Sequence, residues 1–399
     1  MSKINELIRE LCPEGVEFKR VWEVTAWDKK FNAVDNHKQS KTYKYTYLLA
    51  SALRKLAVEG GDVKLLSTGG EAYGWTTEEL AGKSISEGEI ISIPWGGRAT
   101  VQYYKGKFVT ADNRIATSLN KEYLDNKYLY YFMLSNLRIL QSFYRGSGIQ
   151  HPSMAKVLDM ILPIPPIAVQ KEIVNILDKF TRLEAELEAE LEAELEARKK
   201  QYEYYRNQLL SFDEPERVEW LTLDVLAMNF DSKRKPVTKD VRTSGDIPYY
   251  GASGIVDYVS DYIFDGDFLL VSEDGANLIA RNTPIAFSIS GRTWVNNHAH
   301  VLKFEEYATR RLVEIYLNSI DLRPYVSGGA QPKLNKANLN KIKIPIPSMK
   351  EQIRVVSILD KFDRLVNSLS EGLPAEISAR QKQYEYYRSK LLTFQEASV

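Results

Sequence analysis

The chain has 399 residues, 44% hydrophobic and 27% charged, which is the profile of a globular protein with room for two or three domains. Its 53 basic and 53 acidic residues cancel, which argues against a protein that coats nucleic acid non-specifically through net positive charge, although local basic surface is allowed. The single cysteine, Cys12, excludes an internal disulfide and a multi-cysteine zinc site.

Targeting signals are missing from the sequence. The N-terminal residues lack the apolar core of a signal peptide. The most apolar run, residues 160–169, is too short and too rich in proline to span a bilayer. We therefore expect a cytoplasmic protein with no membrane partner.

Two variable regions each combine strand-like and helix-like segments. Apolar, β-branched runs bounded by Gly, Asn and Asp predict strands, and longer runs of helical spacing predict one helix in each region. The predicted strands are residues 88–96 and 101–111 in the first region and 266–272 and 283–290 in the second; the predicted helices are 122–144 and 309–320. Each region is therefore expected to form a mixed α/β globular domain.

A long helix is predicted to follow each variable region. Residues 167–211 contain neither Gly nor Pro, and their apolar residues recur at helical spacing. Within them, residues 183–194 read LEAELEAELEAE, a four-residue repeat that turns each leucine about 40° further round the helix than the last. The second helix, roughly 348–394, should break at Gly372–Pro374, because proline removes a helical hydrogen bond.

The two helical regions are copies of one another. ILDKF occurs at 176–180 and 358–362, and KQYEYYR occurs at 200–206 and 382–388, so both motifs recur after 182 positions. PEGVEF at 13–18 also resembles PERVEW at 215–220. Since the segments between the motifs agree in length and apolar positions but not in identity, length is the constrained property. Such a duplication indicates approximate twofold symmetry.

Catalytic motifs are not found in the sequence. It contains no P-loop, no GxSxG, no HExxH, no GxGxxG opening a βαβ unit and no NPPY-like stretch. His298 and His300 would share one face of a strand; a structural or DNA-contacting role is favoured over metal binding, which needs further donors. Glu273 and Asp274 precede Gly275, which favours a turn over a carboxylate site.

Loops rich in Gly, Asn, Arg and aromatic residues occur in both variable regions. Arg and Lys pair with guanine and Asn with adenine, so such loops have the side chains that read base edges, although generic surface loops look similar. The candidate DNA-binding residues are Arg98, Asn113 and Arg114 in the first region and Arg292, Asn296 and Asn297 in the second.

The combination of motifs resembles the specificity subunit of type I restriction-modification enzymes. The resemblance rests on two unlike domains, each followed by an IPIP-like element, the ILDKF helix and a tail, KQYEYYRNQLLSF (200–212) or KQYEYYRSKLLTF (382–394). The tetrapeptide repeat resembles one branch of that family. The resemblance implies an α+β fold with two target recognition domains, 1–162 and 213–344, held apart by an antiparallel coiled coil of two conserved helical regions, 163–212 and 345–399.

The resemblance also implies partners. The chain would have no catalytic site and bind no cofactor itself, because AdoMet and ATP would belong to two adenine-N6 methyltransferase subunits and to motor-nuclease (restriction/translocase) subunits. It would read two halves of a site in double-stranded DNA. Tyr204, Tyr205, Tyr386 and Tyr387 are expected to face the partner helix or the methyltransferase. A coiled-coil adaptor without sequence readout and a fused restriction-methylation enzyme are the alternatives.

Overall fold

The structure, a computed structural model, describes residues 2–68, 73–212, 218–328, 331–367 and 372–397. It divides into two compact units. Unit 1 comprises Met1–Glu190 and Ile377–Val399, and unit 2 comprises Leu191–Glu376. Both units combine a mixed α/β domain with parts of long helices, which confirms the predicted α+β class.

Unit 1 contains the first variable region. Its strands are β1 (Glu17–Arg20), β2 (Thr25–Trp27), β3 (Val63–Leu66), β4 (Trp75–Thr76), β5 (Ser86–Pro94), β6 (Gln102–Thr110), β7 (Asn113–Ser118), β8 (Tyr144–Arg145), β9 (His151–Pro152) and β10 (Ile161–Ile164). Its helices are α1 (Ser2–Leu11), α2 (Val21–Val24), α3 (Ala50–Lys55), α4 (Glu78–Ala81), α5 (Asn126–Ser135), α6 (Leu137–Ser142), α7 (Met154–Leu158) and the first part of α8 (Ile167–Ser211).

The prediction of one continuous helix in unit 1 is wrong. The single helix expected over 122–144 is two helices, α5 and α6. Asn136 separates them with a non-helical backbone (φ −99°, ψ 23°), and its side-chain amide donates to the Phe132 carbonyl. Asparagine favours such a local side-chain bond over helix continuation.

Unit 2 contains the second variable region. Its strands are β11 (Glu219–Thr222), β12 (Met228–Asn229), β13 (Ser244–Gly251), β14 (Gly254–Val259), β15 (Phe264–Asp265), β16 (Phe268–Ser272), β17 (Ala286–Ile289), β18 (Arg292–Val295), β19 (Ala299–Lys303) and β20 (Lys343–Ile346). Its helices are α9 (Leu223–Leu226), α10 (Asn277–Ala280), α11 (Tyr307–Ser319), α12 (Lys336–Asn340), α13 (Met349–Asn367) and the remainder of α8, whereas α14 (Leu373–Leu391) lies mostly in unit 1.

The strands of the two variable regions follow corresponding orders, except that β15 of unit 2 has no counterpart in unit 1. Unit 1 has one sheet of order β2-β7-β5-β6-β3-β4, in which only the β6–β3 pair is parallel. Unit 2 has the order β12-β19-β16-β17 in one sheet and β14-β13-β18-β15 in another, with β13 and β18 parallel. β6 of unit 1 thus corresponds to β17 followed by β18, which are separated by a turn at Gly291 with φ 71°. The small sheets β1–β10 and β11–β20 also match, strand for strand.

Helix α8 has the predicted bounds, and its tetrapeptide repeat shows the predicted drift. Leu183 is 54% exposed, Leu187 is partly buried, Leu191 is 8% exposed and Leu195 is partly buried again. A leucine stripe that turns about 40° per repeat passes through the buried side of a helix for a short distance only.

The long helices pair in an antiparallel manner within each unit. In unit 1, Phe180 packs on Tyr387 and the Glu188 carboxylate accepts a hydrogen bond from Gln381. Later residues of α8 thus contact earlier residues of α14, as in an antiparallel pair. In unit 2, Tyr205 stacks on Phe362, while Leu209 and Leu210 pack in the same cluster as Val355. The break predicted at Gly372–Pro374 is described only in part. Gly372 is not helical and α14 begins at Leu373, immediately before Pro374, whereas residues 368–371 lie outside the described residues.

Candidate nucleic-acid interface and partner surfaces

A buried arginine organises one end of the unit 1 sheet. Arg114 is 1% exposed and lies opposite Ile93, near the end of β5. Its guanidinium donates to the carboxylates of Asp28 (3.1 Å) and Asp112 and lies 4.5 Å from the centre of the Trp95 ring. We call Asp28, Asp112 and Arg114 charge cluster 1. A buried arginine is tolerated here because carboxylates and an aromatic face compensate for its lost hydration.

Charge cluster 1 is tied to the backbone of the strand that carries it. The second carboxylate oxygen of Asp28 accepts the backbone N–H of Ile115 at 3.0 Å. Burial raises the pKa of the Asp28 carboxyl above its ordinary value, against the opposing effects of the Ile115 N–H and of Arg114. Asp28, the first residue after β2, therefore fixes the position of the following loop relative to β7.

The loop after β5 is held from several sides. The Gly97 N–H donates to the Gln150 carbonyl (2.9 Å), and the Ala99 N–H donates to the side-chain oxygen of Gln141 (2.8 Å). His151 lies with its ring 5.2 Å from the Trp95 ring and its Nδ1 2.7 Å from the Trp95 carbonyl. A Cβ atom at Gly96 would approach the Ile149 side chain to 2.9 Å, so a larger residue here would displace that side chain.

Unit 2 has a buried histidine in the corresponding place. His300 is fully buried and lies opposite Val271, near the end of β16. Its Nδ1 is 2.6 Å from the Asp231 carboxylate, and its Nε2 is 2.7 Å from the Leu334 carbonyl. Both partners offer acceptor oxygens, so the ring bridges a carboxylate and a backbone carbonyl. We call Asp231, Arg234, Glu273 and His300 charge cluster 2.

The carboxylates of charge cluster 2 are held in the ionised form. Burial alone would raise the pKa of Asp231, but the hydrogen bond and charge of His300 and the hydrogen bonds of Val301 and Asn229 together outweigh it and lower that pKa to about 2. Arg234 donates to Glu273 at 2.6 Å, and the pKa of Glu273 is likewise lowered despite burial. As in unit 1, the second oxygen of the aspartate accepts a backbone N–H from the strand, that of Val301 at 2.9 Å.

A second repeated contact joins each domain to its helical arm. The ILDKF aspartate of the first copy, Asp178, accepts from Lys127 Nζ (2.8 Å) and the Tyr131 hydroxyl (2.6 Å). The aspartate of the second copy, Asp360, accepts from the Tyr307 hydroxyl (2.8 Å) and Arg311 Nε (2.7 Å). Both units thus use one cation and one tyrosine four residues apart on a helix.

The predicted DNA-binding residues divide into surface and buried groups. Arg98, Arg292 and Asn297 are exposed. Asn113, Arg114 and Asn296 are 3%, 1% and 8% exposed, so the expectation that they extend from the surface is wrong. The Asn113 amide donates to the Leu66 and Ser67 carbonyls, and the Asn296 side chain caps the His298 N–H, because buried polar groups must find partners.

The four predicted partner-binding tyrosines also form matched pairs. Tyr204 is 63% exposed and Tyr386 is 61% exposed, although both are large and partly apolar. Each lies edge-on to the next tyrosine, Tyr205 or Tyr387, at 5.4 Å between ring centres. Tyr205 and Tyr387 pack on the phenylalanines of the ILDKF motifs, so one tyrosine of each pair packs within its unit and the other faces outward.

Sequence reasoning missed Asp28, Asp231 and Arg234. Asp28 comes directly after β2, and Asp231 comes two residues after the end of β12. Each aspartate precedes basic residues, in WDKK at 27–30 and FDSKRK at 230–235. That shared pattern was the available signal. The pattern is hard to see because the distance along the chain from strand to aspartate differs by one residue. Asp28 comes one residue after Trp27, which pairs with Ala116, whereas Asp231 comes two residues after Asn229, which pairs with Leu302.

The side chains of the histidine pair and of the acidic pair of unit 2 hydrogen-bond or form ion pairs within that unit. Among the residues that the structure describes, no group of three or more His, Cys, Asp or Glu side chains could hold a metal ion. His298 pairs with Asp274 at 2.9 Å, and Gly275 follows with φ 109°, as expected for a turn. In the same described parts of the chain, none of the helices is both apolar and long enough for a membrane crossing.

Known proteins share this architecture. The family described as type I restriction modification DNA specificity domain matches residues 13–197 and again 223–379. The chain belongs to this family of type I restriction-modification specificity subunits, and the two matches correspond to its two copies.

Individual relatives agree with the family match. A putative type I restriction enzyme specificity subunit of Haemophilus influenzae is 39% identical over 334 residues, covering 77% of this chain and 83% of the relative. A type I restriction enzyme specificity subunit of Escherichia coli is 35% identical over 294 residues, covering 67% and 70%. A chain from a structural study of assembly and conformational transition in a type I restriction-modification system superposes with a TM-score of 0.60 at 12% identity, covering 95% and 97%, which shows the same fold.

Proposed function

We propose that this chain reads a two-part site in double-stranded DNA and carries that specificity to two methyltransferase subunits and to restriction/translocase subunits. Residues 1–162 and 213–344 are the two target recognition domains. The observation that carries the proposal is the repetition, in two domains of unrelated sequence, of a corresponding strand order, one buried charge cluster and one clamp to the helical arm. Two readers on a common scaffold suit two half-sites.

The matched tyrosines support two identical protein partners. Tyr204 and Tyr386 present similar exposed aromatic surface at equivalent places in the two copies. Exposed tyrosine next to packed tyrosine is typical of protein interfaces, because the ring is apolar and the hydroxyl can be hydrogen-bonded. We assign these two residues to methyltransferase docking, with Tyr205 and Tyr387 behind them.

The chemistry of methyl transfer and DNA cleavage is assigned to the partners. No phosphate-binding loop and no NPPY-like motif occurs in the sequence, so AdoMet and ATP are bound elsewhere in the complex. The length of α8 sets the spacing of the half-sites in this proposal. One LEAE unit corresponds to about 6 Å and 40° of helix, comparable to one or two base-pair steps.

Methylome mapping tests the proposal. The chain is expressed with its methyltransferase subunits in a host that lacks other adenine methylation, and methylated adenines are located by long-read sequencing. We expect a single bipartite motif with a constant spacer. Methylation without sequence preference would favour a structural adaptor and overturn the proposal, as would methyl transfer by the purified chain alone.

A further inference from the structure

Cationic side chains surround charge cluster 1 at the surface of unit 1. Asp28 is followed directly by Lys29 and Lys30, which are both exposed. The Lys29 ammonium lies 5.6 Å from the centre of the Trp95 ring, on which the Arg114 guanidinium also packs. The buried cluster therefore sets the starting point of an exposed cationic segment.

Two neighbouring loops extend the same surface of unit 1. Arg98 is exposed in the loop whose Gly97 N–H is bound by the Gln150 carbonyl. Ile149, beside Gln150, is 72% exposed. Cationic, amide and apolar side chains thus stand together on loops whose backbones are held by hydrogen bonds, the combination that phosphate and base-edge contacts require.

Unit 2 repeats this surface around charge cluster 2. Asp231 is followed by Ser232 and then by Lys233, Arg234 and Lys235, of which both lysines are exposed. Arg234 turns inward to Glu273 and also contacts the Asn297 carbonyl at 3.4 Å, which brings that exposed asparagine to the cluster. The Gly275 N–H donates to the Pro332 carbonyl, and Lys333 reaches Glu273 at 3.3 Å.

We propose that these two surfaces are where the units contact DNA. Reading face 1 consists of Lys29, Lys30, Arg98, Ile149 and Gln150, and reading face 2 consists of Lys233, Lys235, Asn297 and Lys333. Lysines contact phosphates, and the loop residues contact base edges. Arg114 and His300 are positioning residues, because each holds the aspartate from which the cationic segment starts. The proposal rests on the proposed function and assigns its DNA-contacting residues.

The proposal distinguishes among the exposed residues that the sequence predicted to bind DNA. Arg98 and Asn297 lie on the reading faces. Arg292 lies on β18 instead, where its guanidinium is 3.6 Å from Asp265 and packs over the Tyr262 ring. Substitution of Arg98 or Asn297 should therefore change base preference, whereas Arg292→Ala should leave it unchanged.

The phosphate contacts are tested by paired lysine variants of the complex with methyltransferase subunits. The probe is a randomised double-stranded DNA library, followed by affinity measurements on the selected site at several salt concentrations. Lys29→Ala/Lys30→Ala and Lys233→Ala/Lys235→Ala should each weaken binding roughly tenfold and lower the slope of log affinity against log salt by about 2. The selected motif should remain the same.

A matched control lies at the other end of the unit 1 sheet. Lys83→Ala/Lys107→Ala also removes two positive charges. Lys107 lies opposite Glu87 on β5, seven residues before Pro94, so it is roughly 23 Å along the strand from the end of β5 that adjoins reading face 1. This variant should bind like the parent. Equal loss of affinity in control and face variants, or no loss in either, would overturn the reading faces. A parent complex that selects no motif would overturn both this proposal and the proposed function, whereas normal selection with unaffected face variants sinks the reading faces alone.

The positioning role is tested by the pattern of lost specificity. Arg114→Met should broaden base preference in one half-site only and leave the salt slope unchanged, while Arg114→Lys should restore part of that preference. His300→Gln should have the same effect on the other half-site. Uniform loss of binding to both half-sites would indicate unfolding and contradict a positioning role, and the lysine variants, whose side chains are exposed, keep the reading faces testable in that case.

Discussion

Charge clusters 1 and 2 occupy equivalent strand positions and contain different residues. Unit 1 places an arginine between two aspartates against a tryptophan ring, and unit 2 places a histidine between an aspartate and a carbonyl, with an arginine and a glutamate beside it. In both, one aspartate oxygen binds the buried arginine or histidine and the other binds the next backbone N–H of the strand.

The comparison shows that the duplicated feature is a geometry rather than a set of amino acids. A buried cation paired with a carboxylate is stable only when every partner is present, so the whole set changes together. The loops mounted on such a set can differ freely in their exposed side chains. That freedom is what two readers of different DNA sequences need.

The clamps to the helical arms differ in a simpler way. Unit 1 uses Lys127 and Tyr131, and unit 2 uses Tyr307 and Arg311, so cation and tyrosine exchange places on the helix. The surroundings differ too. The Lys127 and Asp178 side chains are 31% and 38% exposed, whereas the Arg311 and Asp360 side chains are 15% and 16% exposed. Equivalent contacts should therefore contribute unequally to stability.

The largest expected effect is at the unit 2 clamp. Arg311→Met removes the cation shared by Glu314, Asp360 and Asp363, of which the first two have side chains only 9% and 16% exposed. We expect the free energy of unfolding of unit 2 to fall by about 3–5 kcal/mol. Chemical denaturation followed by hydrogen exchange, which resolves the two units, measures the change.

The matched variant in unit 1 is Lys127→Met. Because its ion pair is partly exposed, the expected loss is less than about 1 kcal/mol. Equal losses in the two variants would show that burial does not distinguish the two clamps.

The next effect is pH-dependent and comes from the charge clusters. The pKa of Asp231 is lowered from 3.8 to about 2, so its ionised form stabilises unit 2 at neutral pH and loses this contribution as pH falls from about 4 to about 2. The contribution is about 2 kcal/mol. The pKa of Asp28 is raised, so its contribution to the pH dependence of unit 1 has the opposite sign.

Thermal unfolding of the parent and of Asp231→Asn between pH 6 and pH 2.5 checks the sign. The difference in stability between the two proteins should shrink as the pH falls. A difference that is constant over this range would show that folding does not lower the pKa of Asp231.

The smallest effect on folding is expected at the exposed tyrosines. A double Tyr204→Ala and Tyr386→Ala variant should keep both units folded, because these side chains are 63% and 61% exposed. It should nevertheless lose assembly with the methyltransferase subunits. Native mass spectrometry measures the stoichiometry, and each single variant serves as a control that should lose one of the two subunits. Normal stoichiometry in the double variant would remove the tyrosines from the docking surface.

Much of the fold could be predicted from the sequence, because repeated motifs and helical spacing are local signals. The bounds of α8, the start of α14 beside Pro374 and the class of each domain follow from them. The charge clusters could not be predicted, since they join β2 to β7 and β12 to β19 across long stretches of chain and use different residues in the two units. Arg114 and Asn113 look like surface residues in the sequence, and only their buried partners show otherwise.

The central claim is that two separate readers are joined by an arm whose length sets their spacing. Deleting Leu187–Glu190 tests it most directly, because Leu191–Glu194 has the same four letters and replaces the deleted unit in the helix. Methylome mapping of cells that carry the deletion should show both half-site sequences unchanged and a spacer shorter by one or two base pairs, as about 6 Å of helix requires. A broadened range of spacers would indicate a compliant scaffold. An unchanged single spacer, or altered half-sites, would contradict the account.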